Sequence, residues 1–260
     1  MLKRFIDDIR KYFRYSVVSA RSQLKAEVAG SYLNWVWWIL DPLCFMLIYT
    51  FIFGYVFSGR EQYFSIYIFI GLTMWQFFEK TLKASVKLIK NNKSIVSKVY
   101  FPKYILILSQ MWVAGFKLLI SFGIVALMML INWVPVSWNI LFVIPILITL
   151  MLITFGCSCF LLHFGVDVED MANVVNIVLR VVFYMTGIFY NIEKRIAGWG
   201  TYLNSYNPMA YLLTSMRGAV MYSTTPVIGL LCLWFAVGLI LSILGVRRIY
   251  KEENSYVKAI

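Results

Sequence analysis

Apolar residues run along this chain in six long blocks, at 35–57, 65–82, 104–131, 139–162, 173–190 and 225–246, separated by shorter charged segments. Blocks near 20 residues with few charges predict helices that cross a bilayer, because in hydrocarbon a backbone satisfies its polar groups only within its own helix. A β-barrel strand would alternate apolar and polar positions, and the run 118–131 does not. The fifth block is the weakest, being short and interrupted by Arg180.

Three segments outside the blocks carry their own pattern. Phe5, Ile9, Phe13, Val17, Ala20, Leu24 and Val28 recur every three or four positions with charges between them. That spacing predicts an amphipathic helix lying along the cytoplasmic interface; a surface helix packed on protein is the plainer alternative. Trp35, Trp37 and Trp38 follow where an aromatic belt belongs. In 83–103, Leu88, Ile89, Ile95, Val96 and Val99 are interleaved with lysines and closed by Tyr100-Phe101-Pro102. A short basic amphipathic helix that docks a soluble partner fits, as does a helix lying on anionic lipid. The segment 191–224 is apolar and aromatic yet broken by Gly198, Gly200 and Pro208. Asn207 as an N-cap with Pro208 in the first turn marks a helix start. Arg217 argues against a seventh crossing, so short re-entrant helices at about 195–222 are expected, with an ordinary interfacial helix as the alternative.

Charge orients the blocks. Of the 24 Lys and Arg, seven precede the first block and seven more (Lys80, Lys83, Lys87, Lys90, Lys93, Lys98, Lys103) surround the second connection. Four follow the last block, against Arg60, Lys194, Arg195 and Arg217 on the other side, with Lys117 and Arg180 inside blocks. The positive-inside rule therefore places both termini in the cytoplasm, which six crossings also require. The net charge of +12 then reflects topology and anionic lipid more than nucleic acid. With 61% hydrophobic and 14% charged residues and a mean hydropathy of +0.77, the chain has too little polar surface for a water-soluble fold of this length. No short basic stretch with a small-residue cleavage site precedes the first block, so it is expected to stay as an anchor. Cys44, Cys157, Cys159 and Cys232 all fall in apolar runs and read as buried hydrophobes rather than disulfides or metal ligands. The expected fold is an all-α membrane protein: an interface helix at 1–34, six transmembrane helices at 35–246, and a cytoplasmic tail at 247–260.

At this point the residues resemble the ABC-2-type permeases of O-antigen, capsule and teichoic-acid export, along essentially the whole chain. Leu24-Lys25, Ser31-Tyr32-Leu33, Trp37, Leu40, Pro42-Leu43, Ile48-Tyr49 and Phe53 resemble that family's approach to its first span. Lys98-Val99-Tyr100-Phe101-Pro102 resembles the end of its coupling helix, and Asn207-Pro208 with Arg217 its external gate helices. The chain departs from the family pattern at Ala26-Glu27, Asn34 and Thr186-Gly187. The resemblance implies a homodimer in a bacterial cytoplasmic (inner) membrane, docked on two copies of a separate ABC ATP-binding subunit that binds ATP and Mg. It implies a lipid-linked, polyprenyl-diphosphate polysaccharide as cargo; a drug or simple lipid is the alternative cargo. No Gly-x-x-x-x-Gly-Lys-Ser/Thr occurs, so energy must come from another chain. Segment 83–103 would be the coupling helix, with Lys90, Ile95, Lys98, Val99, Phe101 and Pro102 as docking residues.

Candidate path residues follow from charge and aromaticity. Arg180, about 10 Å into the fifth block, could pair with a diphosphate, snorkel to headgroups, or pair with Asp167 or Asp170. Lys117 lines the path or pairs with an acid. With 20 Phe and 17 Tyr available, Phe183, Tyr184, Phe189 and Tyr190 offer a sugar-stacking surface, or ordinary packing. His163, Asp167, Glu169 and Asp170 read either as a metal-binding cluster of a membrane enzyme or as a solvated acidic turn.

Overall fold

The computed structural model describes residues 2–30, 32–56, 61–196, 198–253 and 256. Arg60 and Lys258, counted in the charge balance, lie outside them, as does most of the tail after Glu253. Among the described residues all regular structure is helical. In chain order these are α1 (Leu2–Val28), α2 (Trp37–Thr50, continued by a wider turn Phe51–Val56), α3 (Phe64–Val86), α4 (Leu88–Asn91) and α5 (Lys93–Val96). Then come α6 (Tyr104–Ile131), α7 (Val143–Asp167), α8 (Met171–Met185), α9 (Ile192–Arg195), α10 (Gly200–Tyr206), α11 (Pro208–Met221) and α12 (Ile228–Lys251). Among the described residues, four helices are long and apolar enough to cross a membrane: α2 with its continuation, α6, α7 with the turn before it, and α12.

α3 is the pillar of the bundle. Residues 66–75 are buried without interruption, enclosed by α2, α6, α7, α8 and α11. Protein surrounds its middle, while in its last turns Gln76 and Glu79 are half-buried and Lys80 and Lys83 reach the surface. Enclosed in this way, it is less apolar than the helices lipid would have to cover. α7 and α12 form the most extensive helix pair. Gly156, Ser242 and Gly245 let the backbones close, and the Ser242 hydroxyl donates to the Leu152 carbonyl at 3.0 Å.

α1 follows α6 instead of standing apart from the bundle. Phe5 meets Tyr104 (5.2 Å), Phe13 meets Trp112 (5.8 Å) and Glu27 reaches Lys117 at 2.6 Å. Ser16 and Ala20 are buried in that contact, while Ile6, Phe13, Val17 and Val18 remain exposed beside Arg10, Arg14 and Arg21. One face is therefore packed on protein, as in the plainer of the two sequence readings, and the apolar flank beside it suits a lipid boundary.

Two elements differ from expectation. The segment 83–103 is not one helix. α3 runs on to Val86, and single turns α4 and α5 follow, broken at Lys87 and Asn92. Gly165 of α7 lies so close to the Val86 carbonyl that any side chain there would overlap it, and the chain must turn away at that point. The fifth predicted span is also shorter than its apolar block, because α8 stops at Met185. The chain then turns through Gly187 at φ +67°, a left-handed conformation that glycine adopts without steric cost.

Candidate functional site

At the lysine-rich end, α4, α5 and the turns to residue 103 form a knob with distinct inner and outer faces. Leu88, Ile89, Val96 and Phe101 are buried among Tyr104, Leu162 and Ile249. Ile95, Val99 (54% exposed) and Tyr100 (65%) face outward with Lys90 and Lys98. Phe101 is only 2% exposed, packing 5.6 Å from Tyr15, and Pro102 is buried beside it. Of the six proposed docking residues, four are thus placed to touch a partner. Phe101 and Pro102 are not: their rings fill the seam beneath the knob, and their part is to seat it.

A polar knot joins this knob to both ends of the chain. Arg4 donates to the Tyr100 hydroxyl (3.1 Å) and to Glu253 (3.3 Å), and Tyr100 donates to the same carboxylate at 2.8 Å. Tyr250 donates to Asp8 at 2.6 Å and lies 3.0 Å from the Tyr104 hydroxyl. The hydrogen bond to Glu253 is the main reason that the Tyr100 phenol is pushed above its ordinary pKa. Burial pulls the Lys103 ammonium down, and it donates to the Phe101 carbonyl at 3.2 Å. Movement of the knob would pull on α1, α6 and α12 together.

Along α8, Asn173, Asn176, Arg180 and Tyr184 form an exposed polar stripe beside an exposed apolar one of Val174, Ile177, Val178 and Val181. Arg180 makes no ion pair or hydrogen bond among the described residues, and Asp167 is instead 3.5 Å from His163. The four aromatic residues near this helix divide. Phe183 points inward to Trp75 and Phe189 (5.4 Å each), and Phe189 stacks on Phe53 at 4.2 Å. Tyr184 is exposed, and the half-buried Tyr190 donates to its carbonyl at 2.8 Å. A polar stripe on a helix of this apolarity needs water, cargo or a second protein against it.

At the opposite end, α10 and α11 form a tight helical hairpin. Asn207 caps α11, its side-chain oxygen accepting from the Met209 and Ala210 amides, with Pro208 in the first turn. Its amide donates to the Met185 carbonyl at 3.3 Å, tying the hairpin to the end of α8. Twelve of the 14 residues of α11 are buried, Arg217 among them at 3% exposure. Its guanidinium donates to the carbonyls of Tyr67 (3.1 Å), Gly187 (2.9 Å) and Ile188 (2.8 Å) and stacks on the Tyr67 ring at 3.5 Å. Arg217 is therefore a bolt inside the protein, not a charge at a surface.

Lys117 pairs with an acid, Glu27, as one of its two readings had it, and the pair sits at the edge of a cavity. His163 is buried, accepting from the Arg248 guanidinium at 3.1 Å and lying 3.3 Å from the Tyr256 hydroxyl, whereas Glu169 and Asp170 are exposed. Sequence reasoning missed Glu27, the Arg4–Tyr100–Glu253 knot and the seat of Arg217. The spacing of Asn173, Asn176 and Arg180 was a legible signal for the α8 stripe; the knot has none, because its members lie up to 249 positions apart.

Comparison with known proteins adds the lineage. The model of the family described as ABC-2 type transporter matches residues 18–221. An O-antigen export system permease protein, RfbA of Klebsiella pneumoniae, is 26% identical over 247 residues, 95% of each chain. The protein of that name from Myxococcus xanthus is 26% identical over 84% of each chain. The polysialic acid transport protein KpsM of Escherichia coli is 24% identical over 73% of this chain and 74% of its own.

Proposed function

This chain belongs to the ABC-2 type transporter family, and from that premise we propose that it is the membrane-spanning permease subunit of an ABC exporter of lipid-linked polysaccharide. The observation that carries the substrate class is the match, over 95% of both chains, with a permease of O-antigen export. In this reading the cargo, whether O-antigen, capsular glycan or teichoic acid, is a glycan on a polyprenyl-diphosphate carrier.

In this reading α2, α3, α6, α7, α8 and α12 make six crossings of the bacterial cytoplasmic membrane, with both termini and the lysine-rich knob in the cytoplasm. The charge asymmetry supports that orientation. Ile95, Lys98, Val99 and Tyr100 meet a separate ATP-binding subunit, which supplies ATP hydrolysis with Mg. The polar knot carries its movement into α1, α6 and α12. Two copies of the chain enclose the path, and the exposed stripes of α8 support this: the apolar stripe faces the second copy while Asn173, Asn176, Arg180 and Tyr184 face the cargo. The α10–α11 hairpin, capped by Asn207 and Pro208 and bolted by Arg217, closes the external end.

The test is complementation. Cells that build a lipid-linked glycan but lack its exporter should display the glycan at the surface when given this chain and its ATPase. Surface glycan absent, with the complex instead clearing drugs from vesicles, would replace the polysaccharide reading with that of a drug permease.

A further inference from the structure

The end of α1, the start of α2 and the middles of α3 and α6 enclose a cavity of about 410 Å³, lined by Glu27, Trp37, Trp38, Asp41, Lys80 and Lys117 with Gln76 and Ser121 deeper in. That volume lies in the range of small-molecule pockets, roughly 300–1,000 Å³. Its chemistry is unlike the rest of the bundle. Asp41, Gln76, Lys80 and Ser121 make no hydrogen bond or ion pair with any described residue. A smaller recess shares Gln76, Lys80, Lys117 and Ser121, and there the buried Thr73 hydroxyl has no partner among the described residues. Ser121 and Thr73 are buried and Gln76 half-buried, while Asp41 and Lys80 open to the surface at the mouth. A buried hydroxyl with no partner beside an unpaired ammonium and carboxylate leaves room for an occupant that supplies the missing donors and acceptors.

The groups specify that occupant. Two ammonium groups favour a phosphate ester. The carboxylates of Glu27 and Asp41, the Gln76 amide and the two hydroxyls match a hydroxyl-rich head group, since carboxylates accept from hydroxyls without needing a second charge. Trp37 and Trp38 stand at the rim with apolar faces on which a ring or an alkyl chain can lie. The position fits as well. The cavity lies where the chain passes from α1 into the first long apolar helix, beside Trp37 and Trp38, a residue type favoured at the head-group layer.

We propose that this cavity binds the phosphate-ester head group of a membrane lipid that carries hydroxyl-bearing sugar or glycerol, with Lys80 and Lys117 on the phosphate. Choosing the lipid-linked glycan over an ordinary phospholipid rests on the exporter reading above; the site itself does not. Glu27 holds the Lys117 ammonium at 2.6 Å, so an arriving phosphate shares that ammonium with a carboxylate, and Lys80, unpaired among the described residues, is its first cation.

Native mass spectrometry of the full chain released from detergent measures retention of two probes: a short polyprenyl diphosphate carrying a disaccharide, and phosphatidylglycerol. Lys80→Gln should lower retention of the bound probe about tenfold, as expected for one charge-assisted contact. Glu27→Gln/Lys117→Gln, which removes the ion pair without stranding either charge, should do the same. Trp38→Ala should lower retention of both probes, since a sugar ring or an alkyl chain can lie on that indole face. Ser121→Phe, which fills the recess without changing charge, serves as a second blocking variant. Preference for the glycan probe assigns the cavity to cargo, and preference for phosphatidylglycerol assigns it to bilayer lipid; both uphold the site. Retention unchanged in all four variants, with monodisperse protein, overturns it. Surface glycan measured in the same cells keeps the two ideas apart: normal export with unchanged retention sinks the cavity alone, whereas lost wild-type export with phosphatidylglycerol retention still sensitive to Lys80→Gln sinks the exporter reading alone.

Discussion

Replacing Arg217 with alanine should be among the most damaging single changes in this protein, and the reason can be counted. The guanidinium is 3% exposed and donates to three carbonyls, those of Tyr67, Gly187 and Ile188, at 2.8–3.1 Å. Each such charge-assisted bond contributes about 1.5–3 kcal/mol, offset in part by the cost of holding a cation away from water. Truncation also leaves buried oxygens with no donor, so the net loss should be about 3–5 kcal/mol. At about 2–4 °C per kcal/mol for a chain of this size, that is an apparent melting shift of about 6–20 °C. Tryptophan fluorescence of the full chain in nanodiscs, heated at one fixed rate, would measure it, the fixed rate mattering because unfolding is irreversible in such systems. Arg217→Lys should fall between, since an ammonium cannot span all three carbonyls. Gly71→Ala supplies an independent probe: its new methyl would sit 2.5 Å from the Arg217 Nη2. That overlap should cost about 1–3 kcal/mol alone. Combined with Arg217→Ala it should cost almost nothing more, because the group it strikes is gone. An alanine variant melting within about 2 °C of wild type, well below the expected shift, would refute the bolt.

Further outcomes follow from the other sites. Val99→Asp and Ile95→Asp, on the outer face of the knob, should leave melting within about 0.5 kcal/mol of wild type while weakening co-purification of the ATPase; unchanged assembly would remove these residues from the docking surface. Phe101→Ala, in the seam, should instead cost about 3–5 kcal/mol of stability, read as an earlier thermal transition. Gly165→Ala should press on the Val86 carbonyl and uncouple ATP hydrolysis from export; an ATPase rate still fully dependent on cargo would count against transmission through that crossing. Arg180→Gln should melt normally, since Arg180 holds no described partner, yet lower surface glycan; normal display would take the α8 stripe off the path.

Much of the fold was legible because its causes are local. Four of the apolar blocks, the three-to-four-residue spacing of α1 and the Asn207–Pro208 cap each depend on residues within one or two turns, and each appeared as a helix or cap where the pattern put it. The candidate site was less legible. Lys98, Val99 and Phe101 look alike as parts of one basic apolar motif, yet Val99 faces out and Phe101 faces in. That division was set by α1 and α12 arriving to cover the inner face. Arg217 resembled an external charge in sequence, and became a buried anchor only because residues 67, 187 and 188 turned their carbonyls toward it.

The amino-acid order alone determined the helical class, the approximate positions of the long apolar helices, and which end of the bundle is basic. These properties follow from hydrogen bonding within a helix and from the cost of charge in hydrocarbon, both of which act over short stretches of chain. Only the tertiary structure decided which face of each helix meets protein. It also decided which charge finds a partner, as Lys117 does in Glu27, and which polar groups are left around a cavity with none. Those outcomes depend on helices that meet across ninety or more positions, and no local pattern carries the geometry of a meeting that close packing alone sets.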